Sequence, residues 1–253
     1  MTTADRTLVQ VSVTDGIATI ALNRPEKLNA LTVVLCEALT IALRSLAERT
    51  DARVLIITGT GRAFCAGADL AVLERDGPAL VAAGRQIALL IRSAPQPVIA
   101  AINGAAAGGG ANLALACDYR LASEQAVLGQ VFHKLGIGPD WGGSYFLPRL
   151  VGPSRALELI WSARMVPAAE ALALGMVDRV TQPDRLLPEA LALARSWAQF
   201  PPLAVRRAKE AIYRSAHASL ADMLDLELAT QHELFATPEA RERLGASLAT
   251  RNR

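Results

Sequence analysis

Two hydrophobic periods alternate along this chain. In residues 8–22, LVQVSVTDGIATIAL, apolar and polar residues alternate on either side of Asp15-Gly16, predicting two short strands joined by a tight turn. After NRPEKLNAL the period lengthens. Leu31, Leu35, Leu39, Leu43 and Leu46 recur at helical spacing, predicting a helix from about Asn29 to Glu48. VLIITG (54–59) and PVIAAI (97–102) are continuous apolar runs, the mark of strands buried on both faces of a parallel sheet. GRAFCAGADL follows the first run as a loop, and a helix is expected from about Pro78 to Ser93. The glycine-rich turn NGAAAGGG follows the second and leads into a helix, ANLALACD. YRLAS (119–123) reads as a strand, AVLGQVF as a short apolar piece, and a further helix precedes Gly152. Helices are expected over 153–165 and 168–175, with a last strand in MVDRVTQ (176–182). From Phe200 the chain is helical, and Thr237-Pro238-Glu239 reads as an N-cap with proline in the first turn. This alternation implies an α/β protein with mainly parallel sheets, a core over 1–199 and a helical region over 200–253.

Composition narrows the function classes. Of 253 residues, 52% are hydrophobic and 20% charged, enough for a sizeable core and unlike a disordered chain. A net charge of +2 with scattered basic residues offers no stripe for nucleic acid. The densest basic cluster, Arg206, Arg207 and Lys209, reads as a solvated helix face. Cys36, Cys65 and Cys117 lack paired metal spacing and fit a reducing cytosol. MTTADRTLVQVSV lacks the pattern of an export signal, so a cytoplasmic location is expected. Ser93–Cys117 carries no charge, but Pro95, Pro97, Asn103, Asn112 and four glycines favour a buried strand–turn–helix over a membrane span.

Candidate chemistry concentrates in three glycine-rich segments. Asn103–Asn112 places three adjacent glycines where a strand meets a helix, whose first N–H groups can bind negative charge. It contains neither G-K-[ST] nor G-x-G-x-x-G, so a nucleotide loop is weakly supported, and tight helix–sheet packing explains the glycines as well. Gly59–Leu70 can likewise present an N–H at the end of a sheet, or simply be a connection whose Asp69 caps a helix. The third segment, FHKLGIGPDWGGSYFLPRLVG (132–152), holds one acid, Asp140. Following Pro139 and preceding a helix, Asp140 is either an N-cap or a catalytic acid. His133, His217 and His232 have no triad-like or metal-spaced acidic partners, and Ser144 lacks a G-x-S-x-G elbow. Asn112 either packs within its helix or bonds a substrate or water.

LNRPEKLNAL, RAFCAGADL, PVIAAINGAAAGGGANLALACD, GIGPDWGGSYFLPRLVG and ALALGMVDRV, in this order, resemble the crotonase superfamily, the enoyl-CoA hydratase/isomerase proteins. The resemblance covers nearly the whole chain. It implies a spiral of ββα units with a C-terminal helical trimerisation region, assembling as trimers or paired trimers. It also implies an acyl-CoA thioester ligand, with no metal, bound redox cofactor, nucleic acid or membrane partner. By position, the N–H groups of Ala68 and Gly109 would hold the thioester oxygen. The segment Lys27-Leu28-Asn29-Ala30, with Ala66, Asp69 and Leu70, would line the CoA path, and Gly108 would bind substrate beside the Gly109 donor. Phe132, Ile137 and Trp141 would desolvate Asp140.

One departure from the family pattern decides the expected chemistry. Family hydratases carry two glutamates, one just after the triple glycine and one after a Gly-Gln pair; here these positions hold Asn112 and Phe132. Neither can take a proton from water. Asp140 instead matches the aspartate of the ring-epoxide isomerases and Δ3,Δ2-enoyl-CoA isomerases. Dienoyl-CoA isomerases resemble it too but carry glutamate in place of Phe132, and 4-chlorobenzoyl-CoA dehalogenase carries tryptophan there. The expected function is an acyl-CoA isomerase that shifts a double bond with one carboxylate. The alternatives are a hydratase with atypical acid–base residues around Asn112 and Asp140, and a non-catalytic acyl-CoA binder.

Overall fold

The computed structural model of the protein describes residues 8–251. Strands β1 (Val9–Thr14) and β2 (Ile17–Leu22) form the expected hairpin, paired from Val9↔Leu22 to Thr14↔Ile17. Asp15 and Gly16 turn it with φ of 52° and 78°, the left-handed pair of a type I′ turn. Parallel to β2 run β3 (Val54–Gly59), β5 (Val98–Ile102), β7 (Tyr119–Ser123) and β10 (Arg179–Thr181), giving a six-stranded sheet of order β1-β2-β3-β5-β7-β10. The apolar runs are buried because this sheet is covered on both faces. Leu55, Ile57, Ala100 and Ile102 pack with Leu35, Leu39 and Leu43 of α1 (Val33–Ala47). The alternate residues Val54, Ile56, Ile99 and Ala101 pack with Leu186, Ala190 and Ala194 of α7 (Leu186–Ala198). That is the period-two logic of a strand applied to two cores.

A second sheet lies in segments that read as loop and turn. Strands β4 (Ala63–Cys65), β6 (Ala105–Ala107), β8 (Val127–Gly129) and β9 (Met165–Pro167) pair in that order, with only β9 antiparallel. Three-residue strands are too short to show a hydrophobic period of their own. Their partners define them, as in Ala63↔Ala105 and Ala106↔Leu128. Each repeat therefore sends a long strand to the first sheet, a short one to the second, and a helix across them. β3-β4 leads to α2 (Leu70–Ser93), β5-β6 to α3 (Gly109–Ala116), and β7-β8 toward α4 (Gly143–Val151). The expected ββα spiral is present.

Some boundaries move for local reasons. Helix α1 starts at Val33, not Asn29, because Leu28 and Asn29 are left-handed (φ 52° and 57°) and Thr32 caps it, its hydroxyl accepting from Leu35 N at 3.2 Å. Helix α2 starts at Leu70, before the expected Pro78; it breaks at Asp76 (φ −130°, ψ 29°), and its second half carries Pro78 in the opening turn. The helix expected over 153–165 ends earlier: α5 spans Pro153–Ser162 and the chain then enters β9. After α6 (Ala168–Leu174), the helices α8 (Pro202–Ser215), α9 (Leu220–Phe235) and α10 (Pro238–Arg251) close the fold. Thr237 caps α10, its Oγ1 accepting from Ala240 N at 3.2 Å. The Arg206–Lys209 cluster is not a uniformly solvated face. Arg206 and Arg207 pair with Glu210 at the surface, whereas the Lys209 side chain is 9% exposed and reaches Asp118 at 2.8 Å.

Candidate functional site

The first two glycine-rich segments meet directly where β4 pairs with β6, and Leu31 fastens the Gly59–Leu70 segment beyond it. Its N–H donates to Gly67 O at 2.7 Å and its carbonyl accepts from Asp69 N at 2.9 Å, clasping the chain on both sides of Ala68. The Ala68 N–H is left without an acceptor among the described residues. The Gly109 N–H, in the first turn of α3, is free for the reason that all first-turn amides are. Both residues line one small cavity of about 80 Å³, together with Leu31, Ala66, Leu70, Gly108, Phe132, Trp141 and Asp140. Asp140 is the only ionisable side chain in that lining.

Asp140 stands at the first corner of a turn that leads into α4. Gly143 N donates to Asp140 O at 2.8 Å, while Trp141 and Gly142 have φ of 50° and 81°. A bulky residue pays strain in the left-handed region, so its surroundings must hold it there. They do. Trp141 is 4% exposed, and its indole lies against Gly84 of α2, where any Cβ would overlap the ring, with Gly109 on α3 close by. The Asp140 carboxylate does not cap α4; Gly142 occupies the N-cap position. Its Oδ1 is buried without a protein hydrogen-bond partner. Burial pushes the carboxyl up to about 6, against a smaller lowering by its own main-chain amide.

The other expected residues fall into two groups. Ala66, Leu70, Gly108, Phe132 and Trp141 line the cavity with the two free amides, as does Ile137. Lys27, Leu28, Asn29, Ala30 and Asp69 do not; they belong to neighbouring segments that support it. Leu28 O accepts from Ala66 N at 2.9 Å. Asp69 sits at the N-cap of α2 but makes no side-chain cap bond; it pairs with Arg24 at 3.3 Å. Arg24 also donates to Ala30 O at 2.7 Å. Sequence reasoning passed over Arg24, and it placed Asn29 on the CoA path, whereas its side chain is buried in main-chain hydrogen bonds. Buried Asn29 donates to Thr60 O and Ala63 O at 2.9 and 2.8 Å and accepts from Arg24 N at 2.8 Å. The available signal for Arg24 was a basic residue directly before proline in NRPEKLNAL, just ahead of an apolar helix. Asn112 is fully buried and lies outside the cavity lining.

Asp140 and Trp141 also border a second, larger cavity of about 630 Å³, walled by Leu89, Arg92, Tyr145 and Phe146. The carboxylate thus lies where two spaces adjoin. Two unpaired main-chain donors beside one desolvated carboxyl can stabilise an enolate and move a proton next to it. Among the described residues no group of three His, Cys, Asp or Glu side chains could hold a metal ion, and no helix is long and apolar enough to cross a membrane.

Comparison with known proteins points the same way. A Bacillus subtilis protein that carries an enoyl-CoA hydratase/isomerase name, YngF, is 43% identical over 237 residues, covering 92% of this chain and 91% of its own. The crotonyl-CoA hydratase of Syntrophomonas wolfei is 36% identical over 242 residues, covering 94% of this chain and 93% of its own. The crystal structure of an enoyl-CoA hydratase from Bacillus anthracis superposes with a TM-score of 0.92 at 39% identity, covering 96% of each chain. Residues 12–252 match the family described as Enoyl-CoA hydratase/isomerase, and the chain belongs to that family.

Proposed function

We propose that the protein is an acyl-CoA isomerase that moves a double bond from the 3- to the 2-position of an enoyl thioester, with Asp140 carrying the proton. One observation carries this reading: Asp140 is the only ionisable group lining the cavity that also presents the Ala68 and Gly109 amides. The thioester oxygen accepts from those two N–H groups. Asp140 removes a proton from the α-carbon, the charge spreads through the dienolate onto the held oxygen, and the same carboxyl returns the proton to the γ-carbon. Oxyanion donors of this kind each contribute about 10²–10³ in rate. Burial matches the carboxyl to the task, since a base near 6 is ionised at neutral pH yet holds a proton better than an ordinary aspartate. Phe132, Ile137 and Trp141 keep water from the intermediate, and the larger cavity beyond Asp140 accommodates the remainder of the acyl group. Lys27, Leu28 and Ala30 lie on the side where the CoA moiety approaches.

Hydration is the second reading, and the names of relatives such as crotonyl-CoA hydratase favour it. It requires Asp140 to orient and deprotonate water alone, because Phe132 is apolar and Asn112 does not line the cavity. Purified protein should convert a 3-enoyl-CoA to the 2-trans isomer faster than it hydrates crotonyl-CoA. Asp140→Asn should lower isomerisation by about 10³-fold or more while leaving the circular dichroism spectrum unchanged. Rapid hydration with negligible isomerisation would reverse the order of the two readings, and full isomerase turnover in the variant would remove Asp140 from the mechanism.

A further inference from the structure

We propose that Asn112 is a positioning residue, holding the Asp140 turn at a fixed place relative to the Gly109 amide. Asn112 lies on α3 three residues after Gly109, is fully buried, and uses both ends of its side chain. Its Nδ2 donates to the main-chain carbonyl of Asp140 at 2.9 Å, and its Oδ1 accepts from Gln130 Nε2 at 2.7 Å. The Asp140 carbonyl therefore accepts twice, from Asn112 and from Gly143 N at 2.8 Å. The second of these bonds closes the turn; the first ties that turn to the helix that begins with the oxyanion donor.

Packing makes the tie rigid. The Asn112 amide lies directly against the Gly143 Cα, where a Cβ of any kind would overlap it. Gln130 is 1% exposed, and its neighbour Gly129 accepts from Gly108 N at 2.8 Å, next to Gly109. Asn112 is thus held from behind by the segment that also holds the oxyanion loop. Trp141 grips the same turn from the other side, between Gly84 and Gly109. A carboxylate that must reach two carbons of a substrate held by its oxygen has little positional tolerance, and a displacement of about 1 Å can lower the rate about 10²-fold. An amide suits this job better than a carboxylate. A carboxylate at this point would set a second acceptor against the Asp140 carbonyl.

The inference rests on Asp140 as the proton carrier, and the experiment separates the two. Wild type, Asp140→Asn, Asn112→Leu, Gln130→Leu and the Asn112→Leu/Asp140→Asn double variant are assayed for 3-enoyl-CoA isomerisation across pH 5–9. Binding of a saturated acyl-CoA and thermal unfolding are measured alongside. Asn112→Leu keeps the branching and the number of heavy atoms and removes both bonds. It should lower kcat about 10²-fold, with saturated-acyl-CoA binding changed less than about threefold. The acid limb of its kcat profile should move down, as the released carboxyl gains water. Gln130→Leu, one bond further away, should lower kcat by a smaller factor, and it provides the test if Asn112→Leu does not fold. Adding Asn112→Leu to Asp140→Asn should change the residual rate little, because both act on one group. Unchanged kcat and acid limb in a folded Asn112→Leu, or an unchanged Gln130→Leu where the first variant is unfolded, overturns the positioning role. So does full additivity with Asp140→Asn. If Asp140→Asn itself retains turnover, the proton-carrier reading has failed instead.

Discussion

Asp118 and Asp140 are two aspartates at the ends of glycine- and alanine-rich segments, and the fold treats them in opposite ways. Asp118 is saturated. Its Oδ2 accepts from Val98 N at 2.7 Å and from Lys209 Nζ at 2.8 Å, and its Oδ1 accepts from the Tyr213 hydroxyl. Lys209 completes its own shell on the carbonyls of Ile91 and Gln96, so α8 is bolted to the core of the sheet. Asp140 has a comparable degree of shelter but a bare Oδ1, and burial lifts its carboxyl to about 6. The difference shows how a fold separates structure from chemistry with one residue type. A carboxylate bonded at both oxygens fastens the chain; one desolvated without partners is poised to exchange a proton.

That contrast can be broken at each end. Asp140→Asn should lower isomerase kcat by about 10³-fold or more, in the range of general acid–base groups, and leave the fold intact. Steady-state kinetics with a 3-enoyl-CoA reads it directly. Asp118→Ala should do the reverse. It leaves Lys209 buried beside Tyr213 without its counter-charge, a loss of about 3 kcal/mol read by chemical denaturation, with the site's own residues untouched. Gly84→Ala sits between the two, because its new methyl group meets the Trp141 indole. Displacing Trp141 should lower kcat about 10²-fold and stability by about 1–3 kcal/mol, measured on the same preparation.

The smallest effect concerns pH, and its sign is opposite to that of an ordinary paired carboxylate. The Asp140 carboxyl is raised in the folded state, so folding favours its protonated form. This contribution is fully present below the ordinary carboxylate value near 4 and is lost as pH rises through about 6. Asp140→Asn, which cannot ionise, should therefore be more stable than wild type at pH 7 by roughly 1 kcal/mol, since solvent at the carboxyl's exposed edge screens part of the effect. The gap should close toward pH 4, as followed by thermal unfolding in a pH series. Activity runs the other way: kcat should fall as pH drops below about 6, because the base must be ionised to accept the α-proton.

Much of this was legible in the chain. Long strands such as Val98–Ile102 announce themselves by apolar runs, and α1 by leucines at helical spacing. Asp140 stood out as a single acid among glycines and aromatics, and the segments carrying Ala68 and Gly109 were marked by their small residues. The second sheet was not legible, since Ala105–Ala107 is a strand only because β4 and β8 lie beside it. Nor was the anchoring of Lys209, which shares its helix with solvated arginines and is distinguished only by facing Asp118.

Sequence by itself therefore determined the periods, the order of the ββα repeats and the placing of one aspartate among glycines and aromatics, because local hydrophobic pattern and side-chain chemistry are properties of a few neighbouring residues. Tertiary structure decided which amides stay free, which aspartate is filled and which is bare, and that Trp141 is held in a left-handed turn between two helices. Those outcomes depend on partners 28 to more than 90 residues away in the chain, as Asn112 is from Asp140 and Tyr213 is from Asp118. A local pattern cannot encode the proximity of distant segments; only packing of the whole chain creates it.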